Sequence, residues 1–255
     1  YCSVFGKEPP GVANAALVDF PAIVFRRKIG RLCAPLLRSG HSGSSACQLI
    51  VALPSDWPSG YDLRSLSEVD STMSEATRVL KELPGPCWIF AAHQTGARGR
   101  RGRAWAMPAG NFSASLILPN AGSPAEMGLR SFVASLALFD AVRAVAGPNA
   151  NLSLKWPNDV LLNGGKLAGI LLESAGNALV IGVGVNLAKA PDVNEVEEGA
   201  LRPVALKSEA GADVSAEVFM THLAAAYAPW EERFRTYGFG VVREAWLAKA
   251  AKLGE

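Results

Sequence analysis

The chain has 255 residues, of which 49% are hydrophobic and 19% charged, and its formal net charge is +2. This composition is typical of a globular protein that buries a substantial core. The small net charge argues against a dedicated nucleic-acid-binding protein, whose basic surface usually dominates the charge balance.

The spacing of the cysteines and the hydropathy of the chain indicate its redox environment and its relation to membranes. The four cysteines are Cys2, Cys33, Cys47 and Cys87, and their spacing is not that of a metal site. We therefore expect a reducing, cytoplasmic environment and no disulfide framework. No uninterrupted apolar run reaches the length that spans a membrane, so we expect no membrane association.

The first 55 residues differ in composition from the rest. Between Asp19 and Asp56 there is no acidic residue, but there are several basic ones, followed by a Ser/Gly-rich stretch at 39–45. Transit peptides are basic and Ser-rich, but the helical periodicity expected of one is poor here. We predict a poorly structured extension over residues 1–55 and a folded domain over residues 56–255.

The folded domain is predicted to begin with a helix near residue 72. Thr72 and Glu75 have the spacing of a capping box, and apolar residues follow at helical spacing up to Leu83. Pro84 and Gly85 end this helix. Helix capping alone would account for a serine and a threonine at positions 71 and 72, unless a ligand also binds at this helix end.

An arginine loop, residues 96–105, follows a predicted strand at 87–92. It contains four arginines among three glycines, and no acidic residue occurs between Glu82 and Glu126. Glycine allows the backbone to approach a ligand closely, and arginine donates to carboxylates and phosphates. We interpret the loop as an anion site. The alternatives are a solvated basic loop and an Arg-Gly segment that binds RNA.

Two long elements follow the arginine loop. Residues 111–118 alternate apolar residues with Ser113 and Ser115, which predicts a half-buried strand. Residues 124–146 are predicted to form a helix that ends at Gly147.

A strand and a hairpin are predicted next. In strand 152–156, Leu152, Leu154 and Trp156 are expected on one face. Asn163-Gly164-Gly165 predicts a hairpin turn that leads into strand 166–173. Lys166 is expected to share a face with the apolar residues 168 and 170, at the edge of an apolar pocket.

A glycine-rich strand and two helices complete the chain. Gly182, Gly184 and Asn186 are expected on one face, which would give a flat surface for a planar ligand. A dinucleotide site is rejected because the third glycine of that motif is missing. Helices are predicted over 215–237, with an aromatic stripe that extends to Tyr237, and over 241–252.

The candidate polar residues favour one class of reaction. They contain no Ser-His-Asp or Cys-His set, which argues against a covalent enzyme intermediate. Cations outnumber the one acid, Asp159, which suits a Mg²⁺ ion that also binds phosphate oxygens. Such a set can bring a carboxylate and a nucleoside triphosphate together, which indicates acyl-adenylate formation.

Five motifs, in this order, resemble those of biotin protein ligases: DST at 70–72, QTGARGRRGR at 94–103, KWPND at 155–159, KLAGIL at 166–171 and GVGVN at 182–186. The resemblance implies an α/β (α+β) fold, with a mixed β-sheet flanked by helices, as in the catalytic domain of class II aminoacyl-tRNA synthetases. It implies that biotin and MgATP give biotinyl-5'-AMP. Biotin then passes to a lysine of the biotin carboxyl carrier domain of a carboxylase, of the acetyl-CoA carboxylase type.

The resemblance also implies roles for individual residues. Biotin-binding roles fall to Ser71, Thr72, Met73, Gln94, Arg98, Gly99, Arg100, Lys166, Gly169, Gly182 and Gly184. ATP-binding roles fall to Arg100, Arg103, Lys155, Asn158, Asp159 and Asn186, with Asp159 as the Mg²⁺ ligand. Catalytic roles fall to Lys155, Arg100 and Lys166.

The sequence departs from the family pattern at three places. Ala97 stands where the family commonly has glycine. No amino-terminal DNA-binding domain is visible, so we expect a monofunctional ligase with no DNA partner. The family's small carboxy-terminal β-barrel has no counterpart, and we interpret the sequence as truncated there. A homodimer is one assembly that the resemblance allows. The nearest alternative activity is a lipoate or octanoate ligase of the same fold.

Overall fold

A mixed eight-stranded sheet forms the centre of the protein. The computed structural model describes residues 48–49, 56–192, 196 and 199–251. The strands lie in the order β1-β2-β3-β4-β8-β7-β6-β5; β2 and β3 are parallel, and all other neighbours are antiparallel. The strands are β1 (Gln48–Leu49), β2 (Asp62–Val69), β3 (Cys87–Gln94), β4 (Phe112–Leu118), β5 (Leu152–Lys155), β6 (Asp159–Leu162), β7 (Gly165–Ala175) and β8 (Ala178–Val185).

Helices cover both faces of this sheet, so the predicted fold class is confirmed. Within the described residues the α-helices are α1 (Thr72–Val79), α2 (Pro124–Ala146), α3 (Leu206–Ala210), α4 (Ala216–Tyr237) and α5 (Phe239–Leu247). Helices α2, α4 and α5 pack on one face, where Trp88, Phe112 and Leu116 are buried. Helix α1 packs on the opposite face, against Ile117 and Val180. None of the described helices is both long and apolar enough to cross a membrane.

Helix α2 has the bounds that the sequence predicts. Ser123 is its N-cap and forms a capping box with Glu126, Pro124 is the first helical residue, and Gly147 (φ 85°) ends the helix. These residues satisfy backbone groups that have no partner inside the helix, and a positive φ favours glycine.

The capping box predicted for α1 is wrong. Ser71 is the N-cap residue, and its side chain makes no capping bond. Thr72 is the first helical residue, and its hydroxyl instead accepts a hydrogen bond from Ser115 of β4 at 2.8 Å. Glu75 pairs with Arg78 at 2.7 Å. The Thr72 hydroxyl therefore faces the sheet instead of closing the helix end.

Three further expectations are corrected. Strand β4 is buried along its whole length, not half-buried, because Thr72 of α1 and Gln94 of β3 cover its two serines. Trp156 is 60% exposed and lies beyond the end of β5, which stops at Lys155, so it does not share the buried face of Leu152 and Leu154. Tyr237, the last residue of α4, is 69% exposed and lies beyond the core.

The chain termini fall largely outside the described residues. The prediction for residues 1–55 can be compared only at β1, which pairs with Ser65 and Leu66 of β2. The predicted helix 241–252 corresponds to α5, after which residues 249–251 hydrogen-bond to Leu154 of the edge strand β5 at 2.7 and 2.8 Å. Residues 252–255 lie outside the described part.

Candidate active site

A cavity opens on the α1 side of the sheet, beside the N-terminus of α1. On this face Ile117 and Val180 lie beneath α1. Further along β4 and β8, the residues on the same face are smaller: Ser115, Gly182 and Gly184. The space left free has a volume of about 690 Å³. Residues 97–105 and 199–201 complete its wall.

Uncharged polar side chains lie at one end of the cavity, which we call the buried polar end: Ser71, Thr72, Gln94 and Ser113 line it, and Ser115 lies behind Thr72. Gln94 accepts from the backbone N–H of Thr72 at 2.6 Å through Oε1 and donates to the Ser113 hydroxyl through Nε2. Each of the five is less than 9% exposed. Because it contains both donors and acceptors without charge, this end suits an uncharged group such as an amide or a urea.

Asp70 holds the turn that presents Ser71 and Thr72. Its Oδ1 accepts from the Ser71 N–H at 2.8 Å, and its carboxylate pairs with Arg78 of α1 at 2.5 and 3.0 Å. Its backbone carbonyl accepts from Gly96 at 2.7 Å. The Arg78 side chain, with the Ser71 N–H, lowers the pKa of Asp70 from its ordinary 3.8 to about 2.

This pKa predicts a pH-dependent contribution to stability. A carboxyl group with a lowered native pKa stabilises the fold above its unfolded pKa and loses that contribution as the pH falls through the native value. The melting temperature of Asp70→Asn should lie a few degrees below that of the unaltered protein at pH 6, because an exposed pair contributes up to about 1 kcal/mol. The gap should close between pH 4 and pH 2. A gap of the same size at pH 2.5 would contradict the assignment.

The arginine loop (residues 96–105) folds as a small hairpin. The Trp105 N–H donates to the Ala97 carbonyl at 3.0 Å, and the Gly99 N–H donates to the Arg103 carbonyl at 2.7 Å. Arg101 (φ 60°) and Gly102 (φ 73°) form the turn in the left-handed region. The loop is thus positioned by its own backbone and not only by the flanking strands.

Within the loop, Arg98 is neutralised by a residue distant in sequence. Its guanidinium contacts both carboxylate oxygens of Glu173 at 3.2 and 2.8 Å and donates to Ser74 at 2.7 Å. The Glu173 carboxylate raises the pKa of Arg98 further. No acidic residue lies near Arg98 in the sequence, so its partner comes from 75 residues away and is brought to it by the fold.

Three cations from separate segments line the other end of the cavity. Arg100 donates to the Asn158 side-chain oxygen at 3.2 Å, and Lys155 is exposed at the end of β5. The Lys166 Nζ lies 2.8 Å from Asp159 Oδ1, an ion pair without hydrogen-bond geometry. Among the described lining residues Asp159 is the single acid, so this end favours an anionic ligand.

A β-bulge sets the orientation of Lys166. The register between β6 and β7 shifts, so that Lys166 pairs with Leu161 while Ala168 pairs with Val160. The shift places Lys166 beside Gly169, whereas Ala168 and Ile170 enter the core. The predicted shared face is therefore wrong, because simple alternation cannot anticipate a bulge.

Trp105 lies on the glycine surface. A methyl group at Gly184 would come within 2.8 Å of its ring, and one at Gly169 within 3.2 Å. The Lys166 Nζ lies 5.8 Å from the ring centroid. The flat surface is present as predicted, and in this structure the planar group that lies on it is the indole of Trp105.

This contact predicts the effect of Gly184→Ala. The new methyl group should push Trp105 off the glycine surface and raise the dissociation constant of the ligand by about tenfold, a cost on the order of 1–3 kcal/mol for overpacking. Gly128→Ala is the matched control, since a Cβ there meets nothing within 4 Å and alanine favours the helix. Titration calorimetry of both variants measures the shift. Equal affinities in the two variants would contradict the contact.

Most of the predicted site residues come together in this cavity. It is lined by Ser71, Thr72, Met73, Gln94, Arg98, Gly99, Arg100, Arg103, Lys155, Asn158, Asp159, Lys166, Gly169, Gly182 and Gly184. Asn186 is not among the described lining residues. Its side chain donates to the Val204 carbonyl at 3.1 Å, and its position does not support the predicted contact with ATP.

Several residues of the site are not predicted from the sequence. Ser113 and Ser115 bond to Gln94 and Thr72, and their alternation in an apolar strand was the available signal. Trp105 ends the arginine run but received no role. Glu173 carries no local signal at all, since only the fold brings it to Arg98.

Comparison of the sequence with known proteins identifies relatives of this chain. The profile of the Biotin/lipoate A/B protein ligase family matches residues 66–187. The biotin--[acetyl-CoA-carboxylase] ligase of Paracoccus denitrificans is 51% identical over 195 residues, which cover 74% of this chain and 81% of that protein. The chain belongs to the biotin protein ligase family. The predicted family is thereby confirmed, and the chain is a ligase-type enzyme.

Two further biotin protein ligases extend the comparison. The biotin--[acetyl-CoA-carboxylase] ligase of Mycobacterium tuberculosis is 46% identical over 110 residues, which cover 41% of this chain and 40% of that protein. The biotin protein ligase of Aquifex aeolicus, solved in complex with biotin and ATP, is 26% identical with a TM-score of 0.65, covering 76% of this chain and 80% of that one. These matches do not favour a lipoate ligase or an RNA-binding module.

Proposed function

We propose that this biotin protein ligase activates biotin with ATP and transfers it to a lysine of a biotin carboxyl carrier domain. In the first step a biotin carboxylate oxygen attacks the α-phosphorus of ATP, and pyrophosphate leaves. In the second the lysine amine attacks the acyl carbon of biotinyl-5'-AMP, and AMP leaves with the electron pair of the broken C–O bond. Cys87 is a buried free thiol, which fits a reducing, cytoplasmic setting for both steps.

The observation that carries the proposal is the polarity of the cavity. Its buried polar end is uncharged, whereas its other end contains Arg100, Lys155 and Lys166. Biotin has the same polarity, with a neutral ureido ring at one end and a carboxylate at the other. A ligand bound this way presents its carboxylate to the cations, where the triphosphate must also bind.

The cations supply the chemistry of the first step. Carboxylate and triphosphate repel each other, and fixed positive groups offset that repulsion and stabilise the charge that develops at the α-phosphate. Holding both reactants in line can lower the barrier by about 7–11 kcal/mol. In this assignment Lys166 binds the biotin carboxylate, Lys155 the α-phosphate, and Arg100 and Arg103 the remaining phosphates.

A magnesium ion fits the donor set. The described residues contain no cluster of three acidic, histidine or cysteine side chains that could hold a metal alone. Mg²⁺ commonly takes one or two carboxylates and completes its shell with phosphate oxygens and water. Asp159 would supply the carboxylate, and the ion would neutralise charge on the phosphates.

The proposal is tested by incubating the protein with biotin, MgATP and a purified biotin carboxyl carrier domain. We expect an avidin-detectable carrier domain and biotin-dependent exchange of pyrophosphate into ATP. A carrier domain with its acceptor lysine changed to arginine should remain unlabelled while exchange continues. Absence of both signals would refute the activity, and labelling with lipoate in place of biotin would assign the enzyme to the alternative substrate.

A further inference from the structure

Glu173 of β7 holds the arginine loop from outside the cavity. Its two carboxylate oxygens accept from Nε and Nη2 of Arg98 at 3.2 and 2.8 Å, in the paired geometry that arginine forms with carboxylates. Glu173 is not among the described residues that line the cavity, whereas Arg98 is. Any effect of Glu173 on a ligand is therefore transmitted through Arg98.

The same guanidinium also reaches helix α1. Arg98 Nη1 donates to Ser74 at 2.7 Å and lies 3.4 Å from the hydroxyl of Ser71, a member of the buried polar end. One side chain thus joins the loop, the N-terminus of α1 and strand β7. The pair is partly exposed, 32% for Arg98 and 38% for Glu173, so its contribution is to position the loop more than to stabilise the fold.

The backbone of the arginine loop connects the Arg98–Glu173 ion pair to the residues that line the cavity. Arg98 pairs with Ala104 across the hairpin, and the hydrogen bonds on either side of that pair are made by Gly99 and Trp105. Moving Arg98 therefore moves Trp105, whose ring covers Gly184. Arg100 adds one further bond to Asn158, at 3.2 Å.

We infer that Glu173 is a positioning residue that holds the arginine loop over bound biotin through Arg98. It sets the affinity for biotin and the retention of biotinyl-5'-AMP, not the rate of adenylation itself. The part that concerns biotin rests on the proposed function, whereas the part that concerns the loop can be measured on the protein alone.

The test compares Glu173→Gln and Glu173→Ala with the unaltered 255-residue chain. Without ligand, trypsin cleavage within residues 98–103, followed by peptide mass, should accelerate about fivefold in Glu173→Gln, as expected for loss of one partly exposed charged pair, and more in Glu173→Ala. With ligands, the KM for biotin should rise by a similar factor. The kcat at saturating biotin should change less than twofold.

Glu82→Gln is the matched control, because it breaks the exposed Arg64–Glu82 pair (3.2 Å) on residues that do not line the cavity. It should change neither loop cleavage nor the KM. Loop cleavage in Glu173→Gln within twofold of the control would overturn the inference, as would a fall in kcat at unchanged KM. If the unaltered chain transfers no biotin, the proposed function fails, and the cleavage rates alone still decide whether Glu173 holds the loop.

Discussion

Lys166→Ala is expected to reduce the rate of biotinyl-5'-AMP formation by about 10²–10³-fold, the loss typical of removing one group that stabilises transition-state charge. Lys166 is held in place by its pair with Asp159, by the ring of Trp105 and by the segment 202–204, which bonds to its backbone at 2.8 and 3.0 Å. Biotin-dependent pyrophosphate exchange measures the step directly. Lys81→Ala, which removes an exposed lysine from a residue that does not line the cavity, is the control and should retain full activity.

A loss of activity that results from destabilisation of the fold can be distinguished from one that results from the missing charge of Lys166. In Lys166→Ala the carboxylate of Asp159, whose side chain is 16% exposed, loses its ion-pair partner, and the protein should be destabilised by about 1–3 kcal/mol. Assayed at a temperature at which circular dichroism shows Lys166→Ala to be folded, biotin-dependent pyrophosphate exchange should still be lost. Full exchange activity in the folded variant would show that Lys166 only supports the fold.

Local sequence patterns correctly predict the helix ends and turns that depend on residues close together in the chain. The caps of α2 at Ser123 and Gly147 and the hairpin turn after Asn163 lie where capping and turn residues place them. The arginine loop was recognised because its glycines and arginines are adjacent in the chain. Where an element is fixed by neighbouring residues, the sequence is a sufficient guide.

The errors share one physical cause, which is that burial and pairing depend on residues distant in the chain. The alternation of β4 predicts exposed serines, but Thr72 and Gln94 cover them, and the bulge after Lys166 depends on how β6 and β7 pair. Glu173 lies 75 residues from Arg98, so no local pattern could join them. The order of the motifs is enough to identify the family. The contacts that orient each side chain can be seen only in the folded structure.

Glu231→Gln is expected to lower the free energy of unfolding by about 3–5 kcal/mol, the largest stability loss that we predict for a single side chain. Glu231 of α4 accepts from Arg130 of α2 at 2.8–3.1 Å and from the hydroxyl of Tyr227 at 3.1 Å. Burial raises the pKa of Tyr227, so its hydroxyl stays protonated and donates. The side chains of the pair are only 9% and 7% exposed, and loss of the carboxylate charge leaves the guanidinium uncompensated in the core.

Chemical denaturation of Glu231→Gln and of the control Glu232→Gln measures this effect. Glu232 is exposed and bonds only locally, to Thr236, so the control should stay within about 0.5 kcal/mol of the unaltered protein. The double variant Arg130→Met/Glu231→Leu should be more stable than Glu231→Gln, because it removes both buried charges together. A double variant that is less stable than Glu231→Gln would contradict this account. The KM for biotin should be unchanged throughout, since α2 and α4 pack on the face of the sheet opposite to the cavity.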